Sequence, residues 1–169
     1  MVVRAPVIVT MDGEPIRNGA VHVTGNRITA VSTSNIKHQT SNIIELRDCV
    51  LLPGLINAHC HLDYTCLRGR IKSQKSFTDW IRAINAEKAK LTRDDYVRSI
   101  NDGLEEARRF GTTAMVNLEA FPKLISRIEP TPLRVWWCAE LIDVSAPGRA
   151  EQMVADAIYH VAGRSAGFA

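Results

Sequence analysis

Leu51-Leu52-Pro53-Gly54-Leu55-Ile56-Asn57-Ala58-His59-Cys60-His61-Leu62 is the stretch from which the rest of the chain is read. It has the form of a short buried strand, punctuated by Pro53-Gly54, that ends in two histidines one residue apart. Side chains alternate across a strand, so His59 and His61 project to one face and Cys60 to the other. Two imidazoles on one side of a strand end can grip one metal ion; the plainer alternative is a pair of solvated or core histidines. The carboxyl end of an apolar strand is where βα proteins build their active sites.

Upstream of this stretch, residues 1–52 read as all-β. Val7-Ile8-Val9 is a short strand, and Met11 to Pro15 is rich in turn formers. Ala20 to Val23 and Arg27 to Val31 flank Gly25-Asn26, a spacing that suits a tight hairpin. Ile43 to Leu46 and Cys49 to Leu52 supply further strand material. His22 falls in an alternating strand and reads as a packed or edge residue, and His38, in the polar stretch from Ser34 to Asn42, as a loop residue.

Downstream, strands begin to alternate with helices. Ser76 opens a helix expected to bury Phe77, Trp80, Ile81 and Ile84. Thr92-Arg93-Asp94-Asp95 has the Thr-x-x-acid form of a helix start, Val97, Ile100, Leu104 and Ala107 line one face, and Gly111 supplies the stop. Thr112 to Asn117 is a buried strand, Lys123 to Ile128 a short helix, and Leu133 to Ala139 another strand. A last helix runs from about Arg149 to Ala162 with Val154, Ala157, Ile158 and Val161 on one face, and Gly167-Phe168-Ala169 reads as the opening of a further strand. This order argues for parallel βα units. A doubly wound sheet and a (β/α)8 barrel both satisfy it, and no Gly-x-Gly-x-x-Gly follows any strand to support the nucleotide-binding form of the first.

The run PGLINAHCHLDYTCLRG, together with GTTAMVN at residues 111–117, resembles the first and second barrel strands of the amidohydrolase superfamily, in its deaminase and chlorohydrolase branch. The resemblance implies an α/β fold: the N-terminal part of a TIM-like (β/α)8 barrel (residues 53–169, three to four βα units) preceded by half of a small β-sandwich (residues 1–52). It implies hydrolytic deamination or dechlorination of a heterocyclic or nucleoside-like small molecule by a metal-bound hydroxide. His59 and His61 then hold one divalent metal ion, Zn or alternatively Fe(II), since imidazole and carboxylate ligands suit both.

The family's remaining ligands and its proton-shuttling aspartate match nothing in this chain, so no catalytic residue is assigned within it. His160, the only downstream histidine, falls inside the last amphipathic helix. TDWIRAINAEKAKLT is similar to a segment of the adenosine-type deaminases in which a glutamate contacts the nucleoside. That role carries by position onto Glu87, although the tryptophan-proline that usually precedes it is absent. Trp80 could wall the same pocket or pack in the core, and Asp63 is expected to order the loop beside the metal strand.

A barrel takes about 250 residues, more than follow Pro53. The expected partner is therefore the C-terminal part of the same protein or a self-association partner, and the 169-residue piece alone is expected to be inactive. The alternative is a non-catalytic half-barrel interaction module that retains a relic His-x-His.

Composition bounds these readings. The chain is 46% hydrophobic and 23% charged, with 21 Lys and Arg against 18 Asp and Glu, the balance of an ordinary globular protein rather than a nucleic-acid binder. Its densest basic cluster, Arg68, Arg70, Lys72 and Lys75, reads as a solvated loop. No apolar run approaches a membrane span. Four cysteines at 49, 60, 66 and 138 form no disulfide framework, which points to a reducing, cytoplasmic setting.

Overall fold

A computed structural model of the chain describes residues 1–33, 42–142 and 147–162. His38 and the strand expected at Gly167-Phe168-Ala169 lie outside the described residues. The chain divides into two compact units, Met1–Pro53 and Gly54–Ala169. No helix among the described residues is long and apolar enough to cross a membrane.

The first unit is one mixed sheet. Strands β1 (Val2–Ile8), β2 (Ile16–Thr24), β3 (Arg27–Thr33) and β4 (Ile43–Glu45) lie in the order β3-β2-β1-β4, and β5 (Val50–Leu51) also pairs β1. The β2–β3 hairpin turns at Gly25-Asn26, where Gly25 takes a φ of 60°, open to glycine at no steric cost. β4 and β5 run parallel to β1, over a small core of Ala5, Ile8 and Val21. The first strand is longer than the sequence suggests, since Val2 already pairs His22.

The second unit carries the histidine pair. Strands β6 (Leu55–Cys60), β7 (Thr112–Glu119) and β8 (Arg134–Ala139) form a parallel sheet in the order β6-β7-β8. Helices α1 (Phe77–Lys88) and α2 (Arg93–Arg109) connect β6 to β7, the crossover that parallel neighbours require. Thr92 closes a complete capping box with Asp95, and the chain leaves α2 through Gly111 at a φ of 86°. Ile100 and Leu104 on α2 pack with Leu62, Met115, Ile125 and Trp137 into the unit's core, with Val97 and Ala107 against its edge. The mixed α/β class thus agrees with the sequence reading.

Several local expectations fail. β6 is not buried: Leu55 and Ile56 are 51% and 75% exposed, because among the described residues β6 has a paired neighbour on one edge only and its apolar residues find little cover. On α1 only Ile84 is buried; Phe77 is 74% exposed, and Trp80 and Ile81 are about a third exposed, so the apolar stripe of that helix is only partly covered. The short helix expected after β7 is present, as the 3-10 helix Pro122–Arg127, opened by Pro122 and followed soon after by Pro130. On α3 (Ala150–Val161), Ala157 is buried and Val161 packs on the core, while Val154 and Ile158 stay exposed. Arg68, Arg70, Lys72 and Lys75 are exposed as expected, with Arg68 paired to Glu106.

Candidate metal and active site

β6 ends at Cys60, and the chain turns at His61 into a 3-10 turn, Leu62–Leu67. The rings of His59 and His61 lie edge to face with centroids 5.2 Å apart, on the side opposite Cys60, which packs toward the core. The thiol of Cys60 donates to the Val116 carbonyl at 3.3 Å. Burial, aided by the charge of Asp63, pushes that thiol up to about 11, so it is a protonated packing group at neutral pH. His59 is exposed. His61 is half-buried and stacked on Tyr64 at 5.0 Å, and its Nδ1 is buried with no hydrogen-bond partner among the described residues. A buried imidazole nitrogen left unpaired is costly.

The backbone behind the histidines is held from three sides. Asn117 on β7 accepts the Leu62 N–H through Oδ1 at 2.9 Å and donates through Nδ2 to Glu119 at 3.4 Å, which fixes the amide's orientation. Ser99 on α2 accepts the Cys66 N–H at 3.0 Å, and its hydroxyl lies within 3.1 Å of both the Leu62 and Asp63 carbonyls. Gly103 admits the 3-10 turn against α2: a Cβ there would meet Thr65 Oγ1 at 2.5 Å and Leu62 Cδ2 at 2.9 Å.

Buried charge surrounds this backbone. Asp63 is fully buried and accepts from Lys88 Nζ at 3.3 Å; Lys88 also donates to the Tyr64 hydroxyl at 3.1 Å and sits over the Tyr64 ring. Burial raises the Asp63 carboxyl above its ordinary range, against the pull of Lys88 and His61. Burial also works against the Lys88 ammonium, but Tyr64 and Asp63 more than offset it and hold its pKa above the usual lysine value. Glu119, at the carboxyl end of β7, is likewise fully buried. Desolvation drives it up to about 7, with Asp63 adding to the rise, although it accepts the Phe121 N–H at 2.9 Å.

The structure brings the rings of His59 and His61 together, and the carboxylate of Asp63, which follows them in the chain, is bonded to Lys88 on α1. On α1 it is Lys88, not Glu87, that reaches Asp63; Glu87 pairs with Lys90 on the helix surface, and Trp80 is an exposed ring stacked on Phe77 at 5.7 Å. His160 lies on α3 against Tyr159. Among the described residues no three His, Cys, Asp or Glu side chains are grouped to hold one ion. Asn117, Glu119, Ser99 and Lys88 were not singled out from sequence. For the first two a signal existed: Met115, Asn117 and Glu119 recur at the strand period of two, and the last two of these are polar on a face that starts apolar.

Comparisons with known proteins agree with this fold. The chain is 26% identical to a 5'-deoxyadenosine deaminase of Methanosarcina barkeri over 148 residues, 85% of this chain and 34% of that protein. It thus spans about a third of the length of the curated relatives it matches. Its fold matches the crystal structure of Helicobacter pylori aminofutalosine deaminase with methylthio-coformycin at a TM-score of 0.74 and 15% identity, over 92% of this chain and 40% of the other. It matches atrazine chlorohydrolase from Arthrobacter aurescens TC1, complexed with zinc, at 0.60 and 22% identity, over 70% of this chain and 28% of that one. The amidohydrolase family profile covers residues 50–156, from β5 through the His59-x-His61 strand and into α3, and on that match the chain belongs to the amidohydrolase family.

Proposed function

We propose that this chain forms the N-terminal part of a metal-dependent hydrolase of C–N bonds that deaminates a nucleoside-like heterocyclic amine, with β6, β7 and β8 as the first strands of a (β/α)8 barrel. The observation that carries this reading is the pair of imidazoles at the end of β6, 5.2 Å apart, with His61 Nδ1 buried and without a partner among the described residues. The donor set fits a divalent ion: two imidazoles suit zinc or Fe(II), and the half-buried Cys60 thiol nearby is held protonated and turned to the core. Such an ion supplies Lewis acidity that makes water a competent nucleophile near neutral pH. The rest of the ligand set belongs, on this reading, to further strands of the barrel.

What this chain's own residues do is positional. Asn117 and Ser99 fix the backbone on which His61 sits, Tyr64 stacks on its ring, and Lys88 neutralises Asp63 beneath it. Deamination, rather than chloride release, is favoured by the deaminase relatives. Trp80 and Glu87 are the α1 side chains that the family resemblance alone assigns to the substrate, Glu87 being paired with Lys90 here. The test is metal analysis of the intact full-length protein together with release of ammonia from 5'-deoxyadenosine and 5'-methylthioadenosine, and of chloride from atrazine. Stoichiometric metal that is lost in H59N/H61N, with ammonia as product, is the expected result. Metal-free protein that releases no ammonia would overturn the reading.

A further inference from the structure

Between the end of α1, the start of α2 and the segment after β7 lies a cavity of about 750 Å³. Its size is that of a pocket for a small organic molecule. Lys88, Arg93, Lys123 and Arg127 line it, and no Asp or Glu does. Two of these cations are compensated from outside the lining, Lys88 by Asp63 and Arg127 by Asp94 at 2.6 Å. The side chains of the other two, Arg93 and Lys123, have no hydrogen-bonded or ion-paired partner among the described residues, although the Lys123 carbonyl accepts from the Ser126 hydroxyl at 3.2 Å. Arg93 is moreover the first residue of α2, at the positive end of the helix dipole, where a cation is electrostatically disfavoured. That leaves Arg93 and Lys123 as two exposed, uncompensated cations on the cavity lining, where a bound anion would pair with them.

The remaining wall is aromatic. Tyr96 and Phe121 both line the cavity, with ring centroids 4.6 Å apart, and Leu91 and Leu124 extend the apolar surface. Tyr96 is held in place by donating to the Lys88 carbonyl at 3.0 Å, and Phe121 by its N–H to Glu119. We propose that this cavity binds a small organic anion that carries a planar ring, an aromatic or heterocyclic phosphate or carboxylate, with Arg93 and Lys123 on the anionic group and the Tyr96–Phe121 pair against the ring. The wall it shares with the histidine site is Lys88, which touches Asp63 and Tyr64. The ligand is either the substrate's own anionic end or a separate effector. Anion binding stands apart from the hydrolase reading; only its assignment to the substrate rests on that reading.

Phenyl phosphate, benzoate, inorganic phosphate and neutral benzamide serve as probes in calorimetric titration of the intact full-length protein. Phenyl phosphate and benzoate bind at least tenfold tighter than benzamide, more weakly as salt rises, and R93Q/K123Q loses at least tenfold of that affinity while K75Q, on the exposed loop, loses none. F121A weakens phenyl phosphate and leaves inorganic phosphate unchanged. The single substitutions R93Q and K123Q give the same reading in part if the double variant does not fold. Binding of benzamide as tight as benzoate, or full affinity in a folded R93Q/K123Q, overturns the site; inorganic phosphate as tight as phenyl phosphate overturns its ring component. With turnover in hand, a rise in KM at constant kcat assigns the anion to the substrate, and binding without inhibition assigns it to an effector. Binding without any ammonia release leaves the site standing and removes the hydrolase reading instead.

Discussion

Glu119 is the residue whose burial has the clearest consequence in solution. Its carboxyl rises from an ordinary value of 4.5 to about 7 because desolvation outweighs the Phe121 N–H and the Asn117 amide that favour its charged form. The folded state therefore prefers the protonated acid. That preference is fully present below about pH 4.5 and is lost as pH rises through 7, a contribution on the order of 3 kcal/mol over the window. E119Q keeps the neutral shape without the titration. The wild-type protein should thus lose thermal stability between pH 5 and 8 relative to E119Q. Parallel melting curves for the two proteins across that range would show that Glu119 does not titrate there.

At the scale of elements, the 3-10 turn that carries the histidines is only as well placed as its seat on α2. Gly103 leaves room for Leu62 and Thr65, and an alanine there would gain about 1 kcal/mol of helix propensity but lose about 1–3 kcal/mol by overpacking. The net expectation for G103A is a modest destabilisation and a turn pushed off α2, with weaker metal binding by His59 and His61. T92A is its control: loss of the capping box costs about 1 kcal/mol but leaves the turn's contacts intact, so metal affinity should hold. Equal metal affinity in the two variants at matched stability would detach the turn from α2 as its support. These two helix features differ in how they could be read from sequence. Thr92-x-x-Asp95 and Gly111 act within a few residues of the chain, so the boundaries of α2 were legible in advance, as were the Gly25-Asn26 hairpin and the shared face of His59 and His61. Gly103, Asn117, Ser99 and Lys88 act across 25 to 55 residues of sequence on partners in other elements, and no local periodicity encodes a partner at that distance. Phe77 and Trp80 misled for the complementary reason: their helical spacing marks an apolar stripe correctly but does not say whether anything packs on it.

For the whole molecule the exposed apolar surface decides behaviour. The β6-β7-β8 sheet has two outer edges without a paired strand among the described residues, and both carry large apolar groups, Leu55 and Ile56 on β6 and Trp136 on β8. Phe77, Phe110, Ile158 and Tyr159 add more, each above 60% exposed. Unpaired strand edges flanked by apolar side chains template association with any chain that offers a strand. At about 25 cal/mol per Å², covering even a few such side chains is worth several kcal/mol, comparable to the whole stability margin of a domain. Residues 1–169 produced alone should therefore elute above their monomer mass of 18.8 kDa in size-exclusion chromatography with light scattering, and should bind an apolar dye. Lysine substitutions at Leu55 and Ile56, at the open edge, should shift the population toward monomer, because charge on an edge strand opposes pairing. A sharp, dye-silent monomer of the unsubstituted chain would mean that these surfaces are satisfied within the 169 residues, and the reading of β6 to β8 as an open section of a larger barrel would fall with it.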